Sequence, residues 1–229
     1  MAYILHLETS TKQCSVALAF EGKPLVSRKL LSESFSHSEK LHLFISETLG
    51  EVDVTPSELN AIAVSKGPGS YTGLRIGVAA AKGLCFALDI PLIALNSLEI
   101  LAQNPIEKGI DFIIPMIDAR RMEVFTAVFN REREWVQKTK ALILSPDSFK
   151  DVVHQKSCLV LGDGAQKFKA LNPEINAQFS LNDEHPDALN MVQMAWEKYC
   201  LQDFESLAYF EPFYLKDFQT TPPKDKTGI

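Results

Sequence analysis

The chain has 229 residues, 46% hydrophobic and 23% charged, with a formal net charge of −6. That apolar content supports a real core in one large domain or two small ones. The acidic balance excludes a stand-alone nucleic-acid binder, which needs a basic surface to displace counterions, and leaves open only a local basic patch. The four cysteines (Cys14, Cys85, Cys158 and Cys200) are far apart and form no Cys-x-x-Cys pair. They predict buried free thiols in a reducing cytosol rather than disulfides or zinc ligands. The first residues enter strand-like sequence at once, with no signal segment expected. No apolar run is long enough to span a membrane.

An apolar run over 3–7 predicts a buried strand, broken by the polar turn Glu8-Thr9-Ser10-Thr11. Strands over 14–20 and 24–31 follow, joined by the hairpin turn Glu21-Gly22-Lys23. Ser36 and Glu39 form a capping box for a helix over 36–49. Thr55-Pro56-Ser57-Glu58 forms another, with proline at the first helical position. A fourth strand over 61–65 leads into Lys66-Gly67-Pro68-Gly69-Ser70-Tyr71-Thr72-Gly73-Leu74-Arg75-Ile76-Gly77, a tight turn opening a helix over 72–88. Ser70 or Thr72 can cap that helix. Such a turn could hold an anion at the helix N-terminus, but the Gly-Lys-Ser/Thr ending of a phosphate loop is missing, and a purely structural turn is the other reading. A fifth strand over 91–95 and a short helix over 97–102, capped by Ser97, complete the first half.

The second half repeats the order about 110 residues later. Strands are expected over 112–117, 122–129 and 136–144, a helix over 145–153 and a strand over 157–161. The turn Gly162-Asp163-Gly164 leads to a helix over 165–171, then a last strand over 177–181. An amphipathic helix over 187–201 carries Ala188, Met191, Val192, Ala195, Trp196 and Tyr199 on one side. Both halves read β-β-β-α-β-α-β, and their first strands end in an acid, Glu8 and Asp118. This is the pattern of a duplicated three-layer α/β fold of the actin, sugar-kinase and Hsp70 (ASKHA) type, with mixed sheets. The expected lobes are 1–103 and 104–218, followed by a mobile tail over 219–229.

The helix over 72–88 is apolar on two sides. Leu74, Val78, Ala81, Cys85 and Leu88 form one, and Ile76, Ala80, Gly83 and Ala87 the other. One side must face a sheet and the other a second helix or a second chain. His37 and His42 lie about 140° apart on their helix, which is not the spacing of a zinc pair. Glu8 could orient a phosphate-bound metal or stabilise a turn. Asp118-Ala119-Arg120-Arg121 could clamp a substrate or form a structural Asp–Arg pair.

The segments Ile4-Leu5-His6-Leu7-Glu8-Thr9-Ser10-Thr11, His37-Ser38-Glu39, the glycine stretch from Ser65 to Gly77, Ala81-Lys82-Gly83-Leu84 and Ile117-Asp118-Ala119-Arg120-Arg121-Met122-Glu123-Val124-Phe125 stand in matching order. They resemble the bacterial TsaB (YeaZ) family, which takes part in making threonylcarbamoyladenosine in tRNA. The match covers essentially the first 130 residues with specific motifs, and beyond them it rests on element order and on Gly162-Asp163-Gly164-Ala165. The resemblance implies a cytoplasmic ASKHA protein that partners the paralogous catalytic subunit TsaD and the ATPase TsaE; the acidic charge adds the expectation that tRNA is met only through the complex, and the apolar helix surface that of a homodimer when the chain is alone. The resemblance implies no membrane association.

TsaD carries a metal motif Asn-His-x-x-x-His after the strand that follows the glycine-turn helix. Here that place reads Asn96-Ser97-Leu98-Glu99-Ile100-Leu101, so Ser97 and Leu101 stand where the histidines would be. Serine is a poor metal ligand and leucine is none. TsaD's second-half glycine motif is also missing. The expectation is therefore a non-catalytic scaffold with no cofactor. Leu41, Ile45, Leu74, Gly77, Val78 and Ala81 are the expected partner interface, with the outward side of the helix left open. The alternatives are a nucleotide-dependent transferase using Glu8 and Asp118, or a metallopeptidase.

Overall fold

The computed structural model describes residues 1–32, 37–153, 156–180 and 184–216. The first half folds as β1 (Tyr3–Glu8), β2 (Gln13–Phe20), β3 (Lys23–Leu31), α1 (His37–Glu51), β4 (Leu59–Gly67), α2 (Tyr71–Leu88), β5 (Leu92–Asn96) and α3 (Ser97–Ala102). The second half gives β6 (Phe112–Asp118), β7 (Glu123–Asn130), β8 (Trp135–Ile143), α4 (Lys150–Val153), β9 (Cys158–Leu161), α5 (Ala165–Leu171), β10 (Gln178–Phe179) and α6 (Val192–Cys200). The strands form two five-stranded sheets, β3-β2-β1-β4-β5 and β10-β9-β6-β7-β8. The second, read in reverse, repeats the order of the first. β1 is antiparallel to β2 and parallel to β4, as β6 is to β7 and β9. The duplicated α/β architecture expected from the sequence is therefore present at the level of topology.

Strand burial follows position in the sheet. Central β1 and β4 are buried along nearly their whole length because both faces are covered, whereas the edge strand β3 is mostly exposed. On one face of the first sheet, Leu5, Leu7, Val16, Leu18, Ile62 and Val64 meet α1 and α2. On the other, Ile4, Ala17, Ala61, Ala63, Ile93 and Leu95 meet Ile100 of α3 together with Ala188, Met191 and Ala195. Leu98 and Leu101 of α3 face the second sheet with Ile113, Ile117 and Phe125. So α3 is a layer shared by both lobes.

Ala188, Met191 and Ala195, which follow the second set of strands in the chain, pack on the first sheet. Residues 188–210 return to cover the first sheet, while Glu184 before them and Leu215 and Lys216 after them touch the second lobe. The stripe expected on the last helix is the one buried there, but the helix begins as a 3-10 turn, Ala188–Met191, capped by Asp187 accepting from the Leu189 amide at 3.0 Å. The helix expected over 145–153 shrinks to α4, because Ser145 and Ser148 close a turn on each other: the Ser145 amide donates to the Ser148 hydroxyl at 2.9 Å. The Thr55 capping box is formed, with the Thr55 amide donating to the Glu58 carboxylate at 2.8 Å, but it caps only a 3-10 turn. Asn96 rather than Ser97 caps α3, accepting from the Leu98 amide at 2.9 Å. The Ser36 cap, Leu181 and the expected tail over 219–229 lie outside the described residues.

Candidate functional site

The glycine turn is built against the β1–β2 turn. The Ser70 amide donates to the Ser10 carbonyl at 2.7 Å, and the Ser70 hydroxyl accepts from the Gly73 amide at 3.2 Å, capping α2. The Thr9 hydroxyl donates to the Gly73 carbonyl at 2.8 Å. The imidazole Nε2 of His37, at the start of α1, donates to the Thr11 carbonyl at 2.7 Å. Thr9, Ser10 and Thr11 are all buried. A Cβ added at Gly69 would lie 2.2 Å from the Ser10 carbonyl oxygen, and one at Gly73 2.1 Å from that of Thr9. The glycines thus permit close backbone approach. Two of the amides that could cradle an anion already donate to protein oxygens, which favours the structural reading of this turn.

The two strand-end acids are not brought into one site. Glu8 is fully buried, and burial pushes its carboxyl up to about 7, against hydrogen bonding from Ser10. It accepts from the Ser10 amide at 2.5 Å and so closes its own turn. Asp118 is exposed, accepting from the Arg120 amide at 2.5 Å and pairing with Lys167 Nζ at 2.7 Å. Its own amide donates to Asp163 at 2.8 Å, whose carboxyl burial raises to about 6. In place of a structural Asp–Arg pair, Asp118 pairs with Lys167. Arg120 and Arg121 take left-handed backbone angles with exposed side chains. Lys167 and Asp163 escaped the sequence reading because neither stands near Asp118 in the chain.

Ser97 and Leu101 are both fully buried. Leu101 packs among Leu98, Ile113, Ile117 and Phe125, and a Cβ on Gly162 would lie 2.9 Å from its Cδ2. This apolar contact fills the place of a metal ligand, so the residues present do not fit a metal there. Among the described residues no three His, Cys, Asp or Glu side chains come together as a metal site. No helix among them is long and apolar enough to cross a membrane.

The residues expected at a partner interface are buried within the single chain. Leu41, Ile45, Leu74, Val78 and Ala81 are at most 7% exposed, and Gly77 is buried as well. Leu41, Ile45, Val78 and Ala81 belong to the core under α1 and α2, and Gly77 faces Thr9. The side of α2 that faces outward is the opposite one. Ile76, Ala79, Ala80, Gly83 and Leu84 line a shallow groove of 460 Å³ with Ser38 and His42 of α1. Next to it in the chain, Phe86 is 82% exposed. Three of these residues (Ile76, Ala80 and Gly83) already stood out in the sequence as the second apolar side; only its direction was missing.

Residues 32–219 match the family described as TsaD, tRNA N6-adenosine threonylcarbamoyltransferase. The chain is 27% identical to the tRNA threonylcarbamoyladenosine biosynthesis protein TsaB of Haemophilus influenzae, over 93% of each chain. It is 33% identical to the TsaB of Buchnera aphidicola subsp. Schizaphis graminum, over 74% of this chain and 82% of that one. The solved structure of YeaZ from Pseudomonas aeruginosa superposes with a TM-score of 0.78 at 29% identity, over 94% of this chain and all of that one. Matched in sequence along most of its length and in the arrangement of its two lobes, the chain belongs to the TsaB (YeaZ) family, within the wider TsaD family.

Proposed function

We propose that this chain serves the biosynthesis of threonylcarbamoyladenosine at adenosine 37 of tRNA as a cytoplasmic, non-catalytic scaffold subunit. It docks through the α1–α2 groove onto a catalytic subunit of the TsaD type, working together with the ATPase TsaE. The observation that carries this reading is α2 itself: one apolar side is consumed by the sheet, and on the other Ala79 and Gly83 are exposed beside the half-buried Ile76. Small residues on a helix face let a second helix approach closely. A paralogous subunit built on the same duplicated fold presents equivalent helices, which suits a pseudo-twofold pairing, and a second copy of this chain occupies the face in the partner's absence. Burial of Leu101 where a metal ligand would stand, and the separate engagement of Glu8 and Asp118, support the absence of catalysis by the chain alone. The net charge of −6 supports contact with tRNA through the complex rather than by this subunit.

Co-purification with the TsaD-type subunit, followed by a modification assay, tests the proposal. Gly83→Arg places a charged chain on the open face and is expected to weaken the complex at least tenfold, a loss of ~1.4 kcal/mol, while leaving the melting temperature near that of the parent. Unchanged affinity in Gly83→Arg removes this face from the interface. Threonylcarbamoyl transfer by the isolated chain, or tight ATP binding by calorimetry, overturns the scaffold role.

A further inference from the structure

After α6 the chain over 204–216 runs as a strap from the first lobe to the second. The Glu205 amide donates to the Leu92 carbonyl at 2.9 Å, and its carboxylate lies 3.8 Å from Lys66 Nζ. Phe210 is buried in the core under α2, and Lys82 Nζ donates to its carbonyl at 3.0 Å. The Phe213 amide donates to the Lys66 carbonyl at 2.6 Å, at the entrance of the glycine turn. The Tyr214 ring sits 5.0 Å from that of Tyr71, and its hydroxyl accepts from Arg75 Nε at 3.4 Å. The Arg75 guanidinium in turn stacks 4.3 Å over Tyr71. The next two residues reach the other lobe. Leu215 packs against the second-lobe core of Leu101, Ile117 and Phe125, and Lys216 pairs with Glu123 at the start of β7.

We propose that this strap is an interlobe latch. It fixes the β6–β7 turn of the second lobe to the glycine turn and α2 of the first, and its release lets the lobes part about α3, the layer they share. Tyr71, Arg75 and Lys82 fall within about 40° of one another around α2, so the strap has a stripe of its own. That stripe is separate from the sheet-facing side and from the groove at Ile76, Ala79, Ala80 and Gly83. The two ends of the strap are unequally held. The first-lobe end has a buried phenylalanine and backbone hydrogen bonds, and the second-lobe end has one half-buried leucine and one ion pair between an exposed Lys216 and a half-buried Glu123, which water screens from the lysine side. The latch therefore opens at Leu215 and Lys216.

Spin labels on Ser46→Cys of α1 and Ala170→Cys of α5, both exposed sites, report the distance between lobes in the full chain. The background carries Cys200→Ser, which removes the exposed native thiol. The parent is expected to give one narrow distance distribution, and Leu215→Ala with Lys216→Ala a broadened one with a longer component. Identical distributions overturn the latch. Because Leu215 also belongs to the second-lobe core, the single change Lys216→Glu provides a second reading by hydrogen exchange. Exchange over 118–123 should quicken about tenfold while α2 is unchanged, the mark of a local opening. Acceleration spread evenly over the chain, or none, shows a strap that only adds stability, and overturns the proposal.

Discussion

A methyl group at Gly73 would lie 2.1 Å from the Thr9 carbonyl oxygen, and one at Gly77 2.3 Å from the Thr9 hydroxyl. Backbone cannot yield as a flexible side chain can, so Gly73→Ala is expected to destabilise the fold by about 2–3 kcal/mol, read as a lowered denaturation midpoint. Gly83, with nothing within 4 Å, accepts alanine and gains up to ~1 kcal/mol from helix propensity. Glu8 gives a pH-dependent prediction. Its folded carboxyl titrates at about 7, above its ordinary value of 4.5, so the folded state binds the proton more readily than the unfolded one. The stability this confers is complete below the unfolded pKa and is lost as pH rises through the folded one. In equilibrium unfolding from pH 4.5 to 7, the parent should therefore lose roughly 3 kcal/mol relative to Glu8→Gln. His6, lowered to about 4 chiefly by burial, acts oppositely: its contribution is complete above its ordinary pKa and is lost on acidification towards 4. A near-flat parent profile thus conceals two opposed titrations, which the Glu8→Gln difference separates. The glycines and both acids were visible in the sequence. What each glycine faces was not, because the atoms it avoids lie some sixty residues earlier in the chain.

At the scale of elements, α2 carries the most information. Its sheet-facing side holds Leu74, Val78, Ala81 and Cys85, its open side Ile76, Ala79 and Gly83, and its flank the strap at Tyr71, Arg75 and Lys82. Leu74 is 1% exposed, so Leu74→Ala is expected to cost about 2–5 kcal/mol in chemical denaturation by leaving a cavity. Its effect on partner affinity should be small in whatever fraction stays folded. Periodicity identified both apolar sides because it records only what a helix presents. Which side the sheet takes depends on how α2 enters from the glycine turn, and that is set by Ser70 and Gly73 meeting the β1–β2 turn. The length of α4 was overestimated for a similar reason: Ser145 and Ser148 satisfy each other and hold the chain in a turn before the helix can start.

For the molecule as a whole, the first sheet is closed by the end of the chain. Ala188, Met191 and Ala195 cover Ile4, Ala61, Ala63 and Ile93, and Phe210 completes the core on the opposite face. A fragment of residues 1–103 leaves those strands open on one side. It is expected to show no cooperative thermal transition, whereas the same fragment joined to 184–216 recovers one, as circular dichroism would record; a cooperative transition in the shorter fragment would contradict this closure. The sequence by itself determined the alternation of strands and helices, the duplication, the buried stripe of the last helix, and the loss of ligand chemistry at Ser97 and Leu101, since each is local pattern or side-chain identity. Only the tertiary structure decided that the last helix covers the first lobe and that the strap runs from it to the second, that Asp118 pairs with Lys167 instead of an arginine, and that α2 turns Gly83 rather than Gly77 outward. Those outcomes depend on surfaces far apart in the chain competing for the same apolar and polar partners, and a linear pattern shows what a surface can bury without showing what covers it.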